Sequence, residues 1–80
     1  MEKDYFKDRP IESTIYSAIH IGDDVLICEK EAQKYAKEIS DLTYGTVVEK
    51  LTRHNHPRGI KVKIKTLNSQ IKVGRVVYIL

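Results

Sequence analysis

The clearest pattern of apolar and polar positions lies in residues 60–65, where isoleucine or valine takes every even position and lysine every odd position. Successive side chains of a β-strand point to opposite faces, so this period of two predicts a strand with one face in the core and one in water. Apolar runs rich in β-branched residues predict further strands at residues 25–28, 45–51 and 71–80.

Turn-forming residues separate these strands. Gly-Asp-Asp at residues 22–24 precedes the first strand, and Asn-Ser at residues 68–69 joins the third strand to the fourth as a hairpin. His-Pro-Arg-Gly at residues 56–59 predicts a tight turn into the third strand, because proline sets φ and glycine completes the connection. Gly74 interrupts the last run and indicates a bulge at which that strand bends.

Two segments place apolar residues at helical spacing. Residues 11–19 predict a short helix that follows Pro10. Residues 29–42 are compatible with one amphipathic helix or with a long ordered loop, and the sequence leaves both open. Residues 1–12 are polar and dense in charge, so we expect a flexible N-terminal arm there.

Short strands with a long first loop and a glycine in the second strand are typical of SH3-like barrels. We therefore predict a mainly β fold, a small SH3-like barrel of four to five strands with a short N-terminal helix or arm. Closure of the sheet protects its edges from pairing with other chains. Eighty residues provide one modest core, so residues 13–80 are expected to form a single barrel domain.

The composition indicates in which cellular compartment the protein is expected. Cys28 is the single cysteine, so no intrachain disulfide can form, and a small secreted domain without disulfides is unusual. Residues 1–10 lack the apolar centre of a signal peptide. No apolar run approaches the roughly 18 residues that cross a bilayer. We expect a cytoplasmic protein with no membrane partner.

The net charge of +3 is divided unevenly along the chain. Residues 1–44 carry ten acidic and six basic side chains, whereas residues 45–80 carry one acidic and eight basic side chains. The first part is therefore −4 and the second +7. The excess of positive charge in residues 45–80 favours a polyanionic partner.

Several short motifs follow one another in order along residues 21–79. They are Gly22 with Val25 and Ile27, then Leu42, Thr43, Gly45 and Val47 through Thr52, then His56 through Val62, and finally Gln70 with Val73 through Val76. In this order they resemble the YwbE family of small bacterial and archaeal proteins, which has no assigned activity. The resemblance implies an SH3-like fold and a shared use of the His-Pro loop, and it brings no reaction with it.

Basic side chains gather on and before the third strand, where they could follow a phosphate backbone. Tyr44 is expected to be exposed and available to stack on a base, whereas Tyr78 is expected to be partly buried. Lysines on an exposed strand also prevent edge pairing, and the sequence leaves this structural interpretation open. The candidate nucleic-acid-binding residues are Arg53, His54, His56, Arg58, Lys61, Lys63, Lys65, Arg75 and Tyr44.

Other chemistry-bearing residues fit structural roles. His54, Asn55 and His56 are adjacent, whereas metal-dependent nucleases draw such residues from separate elements, and no second cluster close in sequence completes a metal shell. Cys28 ends an apolar strand and is expected to be buried and inert. We predict no catalytic residue, no metal and no cofactor, and an enzymatic role is the least favoured.

Two functions follow from these patterns. The first is a small module that binds RNA or another nucleic acid through its basic face. The alternative is a protein–protein interaction domain of SH3-like type, in which the barrel or residues 29–42 dock a protein partner. Binding that weakens steeply with salt distinguishes the first function from the second.

Overall fold

A closed antiparallel barrel of four strands forms the structure, a computed structural model that describes residues 10–32 and 39–80. Each strand pairs with the next along the chain, and the last pairs back with the first. The prediction of a mainly β, SH3-like barrel is confirmed. The strands are β1 (Asp24–Glu29), β2 (Thr43–Lys50), β3 (Lys61–Lys65) and β4 (Ile71–Ile79).

The interior of the barrel is filled by β-branched side chains from every strand. Alternation along β3 buries Val62 and Ile64 completely and leaves the lysines on the outer face, as the period of two predicts. Burying one such side chain is worth roughly 1.5–3 kcal/mol relative to leaving it in water. The core cluster consists of Ile19, Val25, Ile27, Val47, Ile60, Val62, Ile64 and Val76.

The barrel bends at two bulges, and neither lies at Gly74. Val77 is the extra residue of β4 between its Leu26 and Ile27 pairings, and Val48 is the extra residue of β2 where it pairs with β3. Gly74 pairs regularly on both sides, so the predicted bulge at this residue is wrong. Glycine is required there for space, because an added Cβ would lie 2.6 Å from the carbonyl oxygen of Cys28.

A second, smaller apolar cluster lies against the first core. Cys28, Ala32 and Val77 are buried together, and Leu42 and Tyr78 pack on them. The burial of Cys28 and the half-buried position of Tyr78 confirm both predictions. The bulge at Val77 explains the second cluster, because the extra residue lets consecutive valines of β4 both be buried.

The predicted short helix at residues 11–19 is two 3-10 helices instead, Ile11–Thr14 and Tyr16–Ala18. Ile15 separates them with an extended backbone, φ −102° and ψ 116°. Ser13 is buried, and its hydroxyl donates a 2.7 Å hydrogen bond to the carbonyl of Pro10. Of the predicted arm, residues 1–9 lie outside the described residues, and residues 11–12 begin the first 3-10 helix.

The connection between β1 and β2 is described at its two ends. Residues 30–31 form a turn, and Ile39–Asp41 is a 3-10 helix that leads into β2. Residues 33–38 lie outside the described residues, so the choice between a helix and a loop at residues 29–42 remains a prediction. In the described ranges, no helix has the length and apolar character that crossing a bilayer demands.

Lys50 joins β2 to the second 3-10 helix. Its ammonium group donates hydrogen bonds to the carbonyl oxygens of Tyr16 at 3.3 Å and Ile19 at 2.8 Å. The same ammonium lies 3.7 Å from the centre of the Tyr16 ring, in cation–π geometry. Lys50 is therefore a structural residue, although it belongs to the basic half of the sequence.

We expect Lys50→Met to lower the free energy of unfolding by about 2 kcal/mol, because hydrogen bonds from a charged donor are lost while the aliphatic stem is kept. Urea unfolding measures the change. Lys65→Met is the control, since its side chain is exposed and the change should stay within about 0.5 kcal/mol. Equal effects of the two substitutions would contradict a structural role for Lys50.

Candidate nucleic-acid interface

Three lysines form a row on the outer face of β3. Lys61 and Lys65 are exposed and Lys63 is half-buried, while the residues between them point into the core. Same-face residues of a strand recur about every 6.8 Å, so this lysine row spans roughly 14 Å. We refer to Lys61, Lys63 and Lys65 as the lysine row.

β3 is an internal strand of the barrel. It pairs with β2 through Thr46–Lys50 and with β4 through Ile71–Arg75. A strand that is hydrogen-bonded on both sides has no free edge to protect. The interpretation of these lysines as edge protection is therefore wrong.

Arg75 of β4 extends the positive charge sideways. It lies directly opposite Lys61 in the β3–β4 pairing. Like charges opposite each other on neighbouring strands destabilise a sheet. Burial, and then the nearby Arg58 charge, lower the pKa of the Arg75 guanidinium from its ordinary value. Arg58 is therefore close enough for its charge to act on Arg75.

The turn at residues 56–59 is held in place by hydrogen bonds at both ends. The Gly59 amide donates to the carbonyl of His56 at 3.0 Å, which confirms the predicted tight turn, and Gly59 has a φ of 94°. The guanidinium of Arg75 donates to the carbonyl of Gly59 at 3.0 Å. Arg75 thus connects the turn that contains Arg58 to the position on β4 opposite Lys61.

The two histidines of this region have different hydrogen bonds. His56 Nδ1 accepts the backbone amide of Arg58 at 3.1 Å, so the proton of the neutral imidazole lies on Nε2. His54 Nδ1 lies 3.0 Å from the carbonyl of Asn55, which can only accept, so His54 donates from Nδ1. His54 is exposed and His56 is half-buried.

Asn55 anchors the loop to the N-terminal 3-10 helices. Its side-chain oxygen accepts the backbone amide of Tyr16 at 2.8 Å. The amide of His56 donates to the carbonyl of Thr14 at 3.0 Å, and the amide of Ile60 donates to that of Ser13 at 2.8 Å. The His-Asn-His sequence is thus part of the structural framework. Within the described ranges, no three His, Cys, Asp or Glu side chains are grouped to hold a metal ion.

Glu49 reduces the charge of the lysine row at its centre. Its carboxylate lies 3.4 Å from the ammonium of Lys63, and both side chains reach solvent. Exposed ion pairs of this kind contribute about 0–1 kcal/mol, so the pair is easily exchanged for another anion. We define the basic wall as these five cations, the lysine row with Arg58 and Arg75.

Three other predicted residues border the basic wall. Arg53 and His54 are exposed at its Lys61 end, where the amide of Lys61 donates to the hydroxyl of Thr52 at 3.0 Å. Tyr44 is 37% exposed, as predicted, but it lies on β2 beyond the Lys65 end and pairs with Leu26 of β1. The predicted set therefore forms a strip along β3 with the loop at one end and Tyr44 at the other.

One family comparison places the chain among known sequences. The model of an uncharacterised conserved protein family, DUF2196, matches residues 12–79. The chain belongs to the DUF2196 family. No curated protein and no solved structure matches it. The family description assigns no activity, so function must be argued from the geometry of this DUF2196 barrel.

Sequence reasoning missed the apolar flank of the basic wall. On β4, Ile71 lies opposite Lys65 and Val73 lies opposite Lys63, and they are 54% and 38% exposed in this DUF2196 protein. Beyond them lies a cavity of about 530 Å³ whose other side is formed by residues 29–31. The strand prediction contained both apolar residues, but only the pairing register reveals that they adjoin the lysines.

Proposed function

We propose that this protein binds nucleic acid, with RNA as the expected partner, through the basic wall. The observation that supports the proposal is the pairing of β3 on both sides, which excludes edge protection as the reason for its lysines. Crowding Lys61 and Arg75 on opposite strands costs folding stability. A polyanion bound over them would offset that cost.

The spacing of the cations supports the same partner. A row of lysines at roughly 6.8 Å intervals can meet successive phosphates of an extended backbone. Release of condensed counterions would then drive binding, and log affinity should fall with log salt by about 0.7 for each phosphate neutralised on a single strand. The exposed Lys63–Glu49 pair can open to release its lysine to a phosphate.

Charge reversal tests the proposal. We expect the wild type to shift mixed cellular RNA at low salt and the combined change of Arg58, Lys61 and Lys63 to Glu to abolish the shift. The corresponding triple change to Gln should reduce the magnitude of the salt slope by about 2, because three phosphate contacts are lost. Circular dichroism verifies that each variant is folded.

A control of equal net charge separates local contacts from overall charge. Glu substituted for Ile11, Ser17 and Ile21, all exposed and outside the basic wall, changes the net charge as much as the Gln variant does. This control should keep the wild-type salt slope. If the wild type fails to shift RNA at low salt, the proposal is wrong.

The alternative function, a protein-interaction domain of SH3-like type, predicts a different result in binding experiments. Capture of a protein partner that persists after nuclease treatment, together with absence of RNA binding, would favour it. A cytoplasmic location and a place in the YwbE group within the family belong to our proposal as well. A reducing compartment agrees with the single cysteine of the sequence, the buried Cys28.

A further inference from the structure

We infer that the nucleic acid on the basic wall is single-stranded, with its phosphates over the lysine row and its bases over Ile71 and Val73. This inference rests on the proposed function. It depends on the difference between the residues that flank β3 on its two sides. On the β4 side, the residues paired with Lys65 and Lys63 are the exposed apolar Ile71 and Val73, whereas on the β2 side they are Thr46 and Glu49.

The cations of β3 lie in single file. One row of lysines matches one phosphate backbone, whereas a duplex presents two backbones with its bases stacked between them. A duplex placed on the lysine row would leave Ile71 and Val73 without bases to contact. An unpaired strand exposes base faces, which can cover this apolar surface.

The charges across the surface orient such a strand. Across the strands the order is Glu49 on β2, the lysine row on β3 and the apolar pair on β4. The cavity beyond is lined by both signs of charge, namely Glu29, Lys30, Glu31, Lys61, Lys72 and Arg75. The carboxylate of Glu49 repels phosphates on the β2 flank, and the apolar pair offers them no partner on the β4 flank, so the backbone lies over the lysine row. Because Glu49 occupies the β2 flank, the bases lie toward β4.

The cavity provides room for the base edges. Its volume is about 530 Å³, and Lys72 and Arg75 line it together with the apolar pair. Its wall combines hydrogen-bond donors with the carboxylate acceptors of Glu29 and Glu31. Base edges carry both donors and acceptors, so they can find partners of both kinds there.

The test compares an unstructured RNA of about 10 nucleotides with a duplex of equal length, within the range of site sizes known for small barrels. Fluorescence anisotropy at matched salt gives both affinities. We expect the single strand to bind about tenfold tighter, since its bases add apolar contact with Ile71 and Val73 to the shared phosphate contribution. Single-stranded DNA of the same sequence shows whether the ribose is recognised.

Two threonine substitutions test the position of the bases. Ile71→Thr with Val73→Thr keeps β-branched shape in exposed strand positions, so the barrel should fold. We expect about fivefold weaker single-strand binding from the lost apolar contact, with duplex binding and the salt slope unchanged. Leu67→Thr is the matched control, because Leu67 is 88% exposed in the β3–β4 connection and should leave the affinity unchanged.

The outcomes distinguish this inference from the proposed function. Equal affinity for duplex and single strand, or wild-type affinity in the double threonine variant, overturns the inference and leaves polyanion binding in place. Absence of binding by any oligonucleotide at low salt overturns both. Tighter single-strand binding that the threonines weaken supports the inference.

Discussion

Gly74→Ala is expected to remove about 3 kcal/mol or more of folding stability, because overpacking at a backbone contact leaves no flexible atom to move aside. An added Cβ would lie 2.6 Å from the carbonyl oxygen and 2.9 Å from the carbonyl carbon of Cys28. These atoms belong to β1, which pairs with β4 to close the barrel. For a domain of this size the loss is a large part of roughly 4–12 kcal/mol. Urea unfolding measures it.

A graded series controls this prediction. Gly45→Ala should cost less, because its added Cβ would meet the Lys65 carbonyl oxygen only at 2.9 Å, and its nearest atom, Cδ1 of Ile64 at 2.6 Å, is the far end of a flexible side chain. Val73→Ala, at the neighbouring exposed position, should cost no more than about 1 kcal/mol. A Gly74→Ala protein as stable as Val73→Ala would show that β1 and β4 separate without cost.

The strands were predictable because their signals are local. The alternation at residues 60–65 depends on nothing outside the segment, and it predicted both the strand and the exposure of its lysines. The turn at residues 56–59 was predictable for the same reason, since Pro57 and Gly59 impose their own backbone angles. Local chemistry therefore predicted most of the elements and the centre of the candidate site.

Pairing register was not predictable, because it depends on contacts between residues far apart in sequence. It is register that places Arg75 opposite Lys61 and Val73 opposite Lys63. Register also explains the error at Gly74: a glycine in a strand indicates either a bulge or a close approach of backbones, and only the paired strands distinguish the two. The apolar flank of the site was missed for this reason.

The roles of the individual cations could not be predicted from the sequence either. Lys50 and Lys61 are both lysines of the basic half of the sequence, and nothing in the sequence distinguishes their roles. In the structure, Lys50 is hydrogen-bonded to backbone carbonyls, whereas Lys61 is exposed on the outer face. In the β2–β3 pairing Lys50 lies opposite the buried Val62, so its side chain starts toward the interior. The bulge at Val48 determines which of the following β2 side chains face the interior. Bulges have no reliable signal in the local sequence, so this could not be predicted.

Gly59→Val is expected to lower the free energy of unfolding by about 2–3 kcal/mol, because a β-branched residue is strained at positive φ. Gly59 has a φ of 94° and its carbonyl accepts the Arg75 guanidinium at 3.0 Å. A shift of the turn would move Arg58 away from Arg75, which β4 holds opposite Lys61. We therefore expect RNA affinity to fall together with stability, measured by urea unfolding and by fluorescence anisotropy.

Gly22→Val separates these two effects. Gly22 has nearly the same φ, 97°, in an exposed turn before β1, and an added Cβ there meets no atom within 4 Å. The strain from the backbone angle should be similar, and because Gly22 is exposed whereas Gly59 is buried, Gly22→Val should cost no more stability than Gly59→Val. RNA affinity should remain at the wild-type value. If both valine variants weaken RNA binding equally, the loss reflects general destabilisation, and the turn at residues 56–59 does not position the basic wall.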